Sequence, residues 1–140
     1  MSHAAVLAPV FVQVALTFFV LYWSGVVRVG HTQRREVRIG DIALGQPNWP
    51  EHATQLGNNV RNQFEIPVMF YAIVGFAMIT GKADLLFVVL AWGFALSRLV
   101  HAYIHTTSNR VSRRFLAYTV GSATLCLMWI VFAVRILFFS

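Results

Sequence analysis

The architecture of this chain is decided by residues 66–97, IPVMFYAIVGFAMITGKADLLFVVLAWGFALS. Two long apolar runs flank the tetrapeptide Gly81–Asp84 in this stretch. Gly81 is suited to end a helix and Asp84 to cap the next one, so the tetrapeptide predicts a tight helical hairpin. About 20 apolar residues are needed for one membrane crossing. The two runs, each extended by its neighbours, are therefore predicted to cross a membrane in opposite directions.

The composition is typical of a membrane protein and excludes other classes. Of the 140 residues, 58% are hydrophobic and 11% are charged. Soluble domains carry about 25% charged residues, so a soluble globule of this composition would lack the polar material for its surface. The 12 phenylalanines argue against disorder, because disordered chains have low hydrophobicity. The net charge of +6 comes from basic residues separated by long uncharged stretches, which disfavours a nucleic-acid partner and favours membrane lipids.

Four apolar segments of sufficient length predict an all-α, integral membrane four-helix bundle. A polar loop that contains QRREVR and PNWP separates the first two segments, and short connections separate the others. The whole chain, residues 1–140, is interpreted as one transmembrane domain. The predicted spans are residues 4–27, 58–80, 84–106 and 114–135.

The distribution of Lys and Arg predicts the orientation in the membrane. The first and third connections, with the helix ends beside them, carry eight basic residues, whereas the opposite side carries Lys82 and Arg135. Because basic residues accumulate on the cytoplasmic side, those two connections are predicted to be cytoplasmic and both termini to lie outside. The eight residues are Arg28, Arg34, Arg35, Arg38, Arg61, Arg110, Arg113 and Arg114.

Polar residues intrude on the apolar spans at one depth, which we call the polar layer. Glu65 lies about 22 Å before the end of its span and Arg98 about 21 Å after the start of the next, at ~1.5 Å per residue. On antiparallel neighbouring helices, these distances predict a buried Glu65–Arg98 pair near the cytoplasmic end. Helical spacing and depth add further residues to the layer. They are Asn58, Arg61 and Asn62 in the second span, His101 and His105 in the third, Arg110, Arg114 and Tyr118 in the fourth, and Arg28 at the end of the first.

The polar layer can be interpreted in three ways. An excess of positive groups at a shielded depth suits an anionic ligand. The same residues could instead form a structural clamp, with arginines that anchor lipid headgroups. His101 and His105 also have the i, i+4 spacing of metal ligands. A metal site would need Glu65 as a third ligand, and Arg98 would repel the cation, so no metal is predicted.

Four motifs in register resemble one family. Residues 59–67, NVRNQFEIP, are similar to the Arg-Asn-x-x-Glu-x-x-Pro region, with the proline shifted, of the membrane-associated proteins in eicosanoid and glutathione metabolism, the MAPEG family. The run from Arg98 through His101 to His105 looks like the family's Arg-x-x-His/Tyr-x-x-x-Tyr. Arg114 with Tyr118 resembles the start of its fourth helix, and GVVR at residues 25–28 is similar to the end of its first. The resemblance implies a bacterial-type member in a bacterial inner membrane.

The resemblance implies a homotrimer with a glutathione site between neighbouring subunits, open to the cytoplasm. It also implies a glutathione-dependent transferase or peroxidase that acts on a lipophilic electrophile arriving from the bilayer. A thiol is nucleophilic as its thiolate, and a nearby guanidinium lowers the pKa of the thiol. By resemblance, Arg114 is the catalytic residue near the sulfur, and the cofactor-binding residues are Arg28, Arg61, Asn62, Glu65, Arg98, His101, His105 and Tyr118.

Three positions depart from the family pattern. Position 58 is Asn where Arg is usual, position 105 is His where Tyr is usual, and position 115 is Phe where some members have Ser. These departures leave a second interpretation open, a non-catalytic trimer that binds an anionic lipid or a regulatory ligand in the polar layer. A transporter is disfavoured, because the sequence shows no inverted repeat and no pair of broken helices.

Overall fold

The structure, a computed structural model, describes residues 1–139 and contains helices, turns and loops without strands over that range. Four segments of it are helical, long and apolar enough to cross a membrane. The predicted fold class, an all-α membrane bundle with four spans, is confirmed. The helices are α1 His3–Gln33, α2 Glu51–Gln63, α3 Ile66–Ile79, α4 Leu85–Thr106 and α5 Val111–Phe138, and a 3₁₀ turn covers Ile39–Asp41.

The first helix, α1, continues beyond residue 27 to Gln33. The added turns are polar, so they can leave the bilayer core and remain hydrated. Glu36 folds back on the last turn of α1. Its N–H donates to the His31 carbonyl at 3.0 Å, and its carboxylate accepts from Arg34 Nε at 2.7 Å and pairs with the His31 ring. The Arg34 guanidinium and His31 hold the pKa of the Glu36 carboxyl below its ordinary value.

The second span differs from the predicted continuous helix, because α2 and α3 are separated at Phe64 and Glu65. Pro67 explains the break, since proline has no N–H to donate to the Gln63 carbonyl and its ring clashes with a preceding helical turn. The chain closes α2 with a tighter turn, in which the Phe64 N–H donates to the Arg61 carbonyl at 3.0 Å. Pro67 then lies in the first turn of α3, where proline is tolerated.

The hairpin between α3 and α4 forms as predicted. Gly81 adopts the left-handed backbone conformation, φ +66°, that favours glycine after a helix. The Asp84 carboxylate accepts a hydrogen bond from the Phe87 N–H at 2.9 Å and so caps α4. The same carboxylate pairs with Arg135 at 2.6 Å, which ties the end of α5 to the hairpin. Arg135 holds the pKa of the Asp84 carboxyl below its ordinary value.

The central helix is α4, which is the most buried of the four spans and lies close to α1, α2 and α5. Phe70 of α3 stacks on Phe94 of α4 at 4.5 Å between ring centroids, and both side chains are fully buried. On α5, Gly121 allows a close approach to Ser97 of α4. The outer surface carries many exposed large apolar side chains, Phe11 and Phe19 among them, as expected of a surface that faces lipid.

Replacement of Asp84 separates its two roles. Asp84→Ala removes the cap, worth about 1 kcal/mol, and the ion pair, which is partly exposed and worth less than ~1 kcal/mol. Asp84→Asn keeps a good capping residue and loses the ion pair alone. We expect Asp84→Ala to lower the apparent Tm of the detergent-solubilised protein clearly and Asp84→Asn to lower it slightly.

The pH dependence of this effect follows from the lowered pKa of Asp84 in the folded protein. The ion pair contributes fully above the unfolded pKa of about 3.9, and its contribution is lost as the pH falls through the lower folded value. The difference in Tm between wild type and Asp84→Asn should therefore stay constant down to about pH 4 and shrink as the pH falls further. An undiminished difference at the acidic end would show that the carboxylate charge is not involved.

Candidate functional site

A cavity of about 510 Å³ opens beside the helix ends remote from the hairpin. Its size is in the range of small-molecule sites, roughly 300–1,000 Å³. Its walls come from α2 with the break that follows it, from α4 and from the first turns of α5. The lining residues are Asn58, Arg61, Asn62, Glu65, His101, His105, Val111, Arg114, Phe115 and Tyr118.

The cavity brings together most of the predicted site residues. Seven of the nine line it, and they come from three different helices. Arg98 and Arg28 are the two that do not. The seven are Arg61, Asn62, Glu65, His101, His105, Arg114 and Tyr118.

The wall formed by α2 depends on the break at Pro67. Asn58, Arg61 and Asn62 share one face of α2 by their i, i+3, i+4 spacing. Glu65 lies after the last residue of α2 and immediately before α3, and its side chain is exposed. The chain turn therefore places an acidic group at the cavity wall that already carries Arg61.

The predicted buried Glu65–Arg98 pair does not form. No ion pair within 4.0 Å joins the two residues, whereas Asp84 and Glu36 elsewhere in the described chain do form such pairs. Arg98 is fully buried, and its Nη2 donates to the Asn62 carbonyl at 3.3 Å. Arg98 contacts this carbonyl instead of Glu65 because the helix breaks after α2. A helix end leaves its last carbonyls without intrahelical partners, and a cation there is favourable.

Arg98 therefore supports the cavity from behind instead of lining it. Its guanidinium carbon lies 5.9 Å from the ring centroid of Tyr118, within cation–π range. Through the Asn62 carbonyl and the Tyr118 ring, Arg98 contacts both the α2 and the α5 walls. Its Nε and Nη1 are buried without a hydrogen-bond partner.

The α4 wall consists of two stacked histidines. The rings of His101 and His105 lie 5.5 Å apart, edge to face. His101 Nδ1 is 3.1 Å from the Arg114 carbonyl, which can only accept, so this nitrogen carries a proton. His105 Nδ1 lies 3.1 Å from Asn59 Nδ2 and 3.2 Å from the Asn62 amide. In residues 1–139 no group of three or more His, Cys, Asp or Glu side chains is arranged to hold a metal ion.

The α5 wall presents a positively charged group at the start of a helix. Arg114 Nη1 donates to the Asn109 side-chain oxygen at 2.6 Å. Asn109 precedes the helix and adopts a left-handed backbone conformation, φ +49°, which asparagine tolerates better than most residues. Arg114 is thereby held in the first turn of α5, where the helix dipole also favours an anion.

Arg28 lies at a different place, in the last two turns of α1 and beside the loop that leads into α2. Its guanidinium stacks on the Trp49 ring at 4.9 Å and approaches Gly57 of α2 so closely that a Cβ there would clash. Within one chain, Arg28 therefore fastens the loop to α2. Arg28 does not line the cavity of the single chain, and its role in a site between neighbouring subunits stays a prediction.

Several contributing residues were missed by the sequence reasoning. Asn109 orients Arg114, and Asn59 contacts His105 from the buried side of α2. Asn59 is linked in turn to Gln63 and to Gln13 of α1. Gln13 and Gln63 inside apolar segments could have indicated this chain of contacts, because buried polar side chains need hydrogen-bond partners.

The family follows from a comparison with protein-family models. The model of the MAPEG family matches residues 6–134, nearly the whole chain. The chain belongs to the MAPEG family. No curated protein and no solved structure matches it. The resemblance carried by the four motifs is therefore confirmed at the level of the family, and the cavity is the candidate functional site of a MAPEG protein.

The geometry of Glu65 predicts how the protein tolerates its neutralisation. Breaking a buried ion pair costs about 3–5 kcal/mol, whereas a surface change away from special features stays within about 0.5 kcal/mol. Because Glu65 is exposed and has no ion-pair partner, Glu65→Gln should unfold with a Tm close to that of wild type. Glu51→Gln, an exposed change at the start of α2, is the matched control. If Glu65→Gln alone lowered the free energy of unfolding by several kcal/mol, Glu65 would have to be part of a buried ion pair after all.

Proposed function

We propose that this MAPEG protein is a glutathione-dependent transferase or peroxidase that acts on lipophilic electrophiles. The observation that carries the proposal is the composition of the cavity, whose lining combines the guanidinium groups of Arg61 and Arg114 with the carboxylate of Glu65. A site with both signs of charge suits a zwitterionic peptide better than a simple anion. The family, which is generally associated with glutathione, supports the same ligand.

The charges of glutathione can be matched to those of the cavity. The tripeptide carries two carboxylates and one ammonium group at neutral pH. Arg61 and Arg114 are suited to the carboxylates or to a thiolate, because guanidinium groups form strong charge-assisted hydrogen bonds with anions. Glu65 is suited to the ammonium. Asn62 and Tyr118 add neutral hydrogen-bonding groups to the cavity lining.

Arg114 is the proposed catalytic residue. A thiol with a pKa near 8.5 is largely protonated at neutral pH, and a guanidinium beside it stabilises the thiolate. Asn109 restrains the Arg114 side chain, so its charge is already positioned when the thiol arrives. The thiol proton would pass to water, and the thiolate sulfur would then bond to the electrophilic atom of the substrate as the leaving group departs with the electron pair of the broken bond. Val111 and Phe115 give the cavity an apolar, exposed rim from which a lipophilic substrate can enter.

A second candidate is a non-catalytic protein that holds an anionic lipid. It is favoured by the same rim, because acyl chains could lie along Val111 and Phe115 while a headgroup phosphate meets Arg61 and Arg114. The two functions differ in ligand and in chemistry, so binding and turnover measurements separate them.

Assembly and orientation are part of the proposal. We infer a homotrimer with the cavity facing the cytoplasm and the hairpin outside, supported by the family and by the clustering of basic residues at the cavity end. In a Cys126→Ala background, Lys82→Cys should react with a membrane-impermeant maleimide added to intact cells, and Ser108→Cys should not. The reverse labelling pattern would invert the orientation.

Glutathione titration of the purified protein in detergent tests the ligand. We expect saturable binding in the wild type and an affinity about 10- to 100-fold lower in Glu65→Gln, because a charge-assisted hydrogen bond contributes about 1.5–3 kcal/mol. Absence of glutathione binding in the wild type, together with saturable binding of an anionic lipid, would favour the lipid-binding function.

Turnover with a standard electrophile tests the catalytic role of Arg114. Arg114→Ala should lower kcat by about 10²–10³-fold, the usual effect of removing one group that stabilises developing negative charge. The oligomeric mass and the Tm should stay unchanged. Arg113→Ala, an exposed neighbour outside the cavity, is the control and should retain activity. Normal turnover in Arg114→Ala would remove Arg114 from the chemistry.

A further inference from the structure

A chain of buried amides leads from the middle of α1 to the cavity. Gln13 Nε2 lies 2.8 Å from Gln63 Oε1, and Gln63 Nε2 lies 2.9 Å from Asn59 Oδ1. Asn59 Nδ2 reaches His105 Nδ1 at 3.1 Å. Gln13 and Asn59 are 0% exposed and Gln63 is 1% exposed. These residues form one connected path, which we call the amide relay, from a helix that does not line the cavity to one that does.

The amide relay has two self-consistent polarities. The oxygen and nitrogen of a side-chain amide can exchange places without any change in shape, so each amide fixes the orientation of the next. In one polarity every NH₂ group points toward His105, whose Nδ1 must then be an acceptor. In the other, His105 Nδ1 carries the proton and donates. In the polarity that directs every NH₂ group toward His105, the Gln13 oxygen is left without a hydrogen-bond partner.

The choice is made at Asn62, beside the cavity. With its amide nitrogen toward Glu65, Asn62 donates to Oε2 at 3.0 Å and to Oε1 at 3.3 Å, and its oxygen accepts from His105 Nδ1 at 3.2 Å. The opposite orientation would set the amide oxygen against an ionised carboxylate, which can only accept. The favoured orientation gives up one contact, that of the amide nitrogen with His101 Nε2 at 3.4 Å, the longest around Asn62.

This orientation of Asn62 determines the rest of the amide relay. Because Asn62 accepts from His105 Nδ1, that nitrogen carries the proton, and Asn59 must turn its oxygen toward it. Asn59 then donates to Gln63, and Gln63 donates to Gln13. With Nδ1 engaged on the buried side, Nε2 is the ring nitrogen left for the cavity that His105 lines.

We propose that Asn62, oriented by Glu65, is the positioning residue that holds His105 as its Nδ1–H tautomer, with the amide relay aligned behind it, so that Nε2 accepts a hydrogen bond from the ligand. The group recognised is a hydrogen-bond donor, an ammonium or an amide N–H. His105 and Glu65 then supply hydrogen-bond acceptors to a cavity in which Arg61 and Arg114 supply donors. The identity of the ligand rests on the proposed function, but the tautomer of His105 does not.

Nitrogen NMR of the protein in lipid bilayers tests this proposal. Histidine labelled with ¹⁵N distinguishes the two neutral tautomers by the shifts of the ring nitrogens, and the His105→Asn spectrum assigns the His105 signals. The wild type without ligand should show the Nδ1–H tautomer of His105. Glu65→Gln has an amide that can also donate to the Asn62 oxygen, so it releases the orientation of Asn62 and should add a population of the Nε2–H tautomer. Gln33→Leu, an exposed glutamine at the end of α1, should leave the spectrum unchanged.

Each outcome bears on one claim. An Nε2–H tautomer in the ligand-free wild type overturns the proposal without any variant, so misfolding of Glu65→Gln cannot obscure it. An unchanged His105 tautomer in folded Glu65→Gln also overturns it. If the tautomer is as proposed and glutathione does not bind, the proposed function fails and the amide relay stands. If glutathione binds in the titration but the Nε2 shift of His105 does not move, the ligand-accepting role is refuted.

Discussion

The hydrogen bond from Arg98 to the Asn62 carbonyl is the interaction on which the candidate site depends. Pro67 interrupts the second span and leaves carbonyl groups at membrane depth without helical partners. A buried guanidinium on α4 satisfies one of them and joins α2 to the central helix. The same break turns Glu65 outward, so an acidic group reaches the cavity without a neutralising partner. One proline thus accounts for both the buried cation and the exposed anion.

The bundle combines an apolar exterior with a polar interior path. Phe70 and Phe94 fill the middle of the core, while a line of amides and imidazoles runs through the same bundle toward the cavity. Polar groups inside a bilayer need internal partners, and here they are provided by side chains from three helices. The hydrogen-bonded groups that secure the packing also set the orientation of the side chains at the cavity wall.

The sequence predicted the features that depend on local spacing. Helical periodicity and distance from the hairpin grouped Arg61, Glu65, His101 and Arg114 correctly, because both quantities are properties of single helices. The break was not predicted, although Pro67 carried the signal. The contacts of Arg98 with the Asn62 carbonyl and of Arg28 with the Trp49 ring were not predicted either. Such contacts depend on the rotation of each helix about its axis and on the path of the loops, and Trp49 lies in a loop.

The cavity has walls from α2, α4 and α5, and none of its lining residues comes from α1. In the single chain the remaining side of the cavity is open. Where another subunit closes it, part of the free energy of ligand binding stabilises the contact between subunits. Occupancy of the cavity by ligand and association of the subunits are then thermodynamically linked. The ligand affinity measured at high dilution in detergent would therefore be lower than the ligand affinity in a crowded membrane.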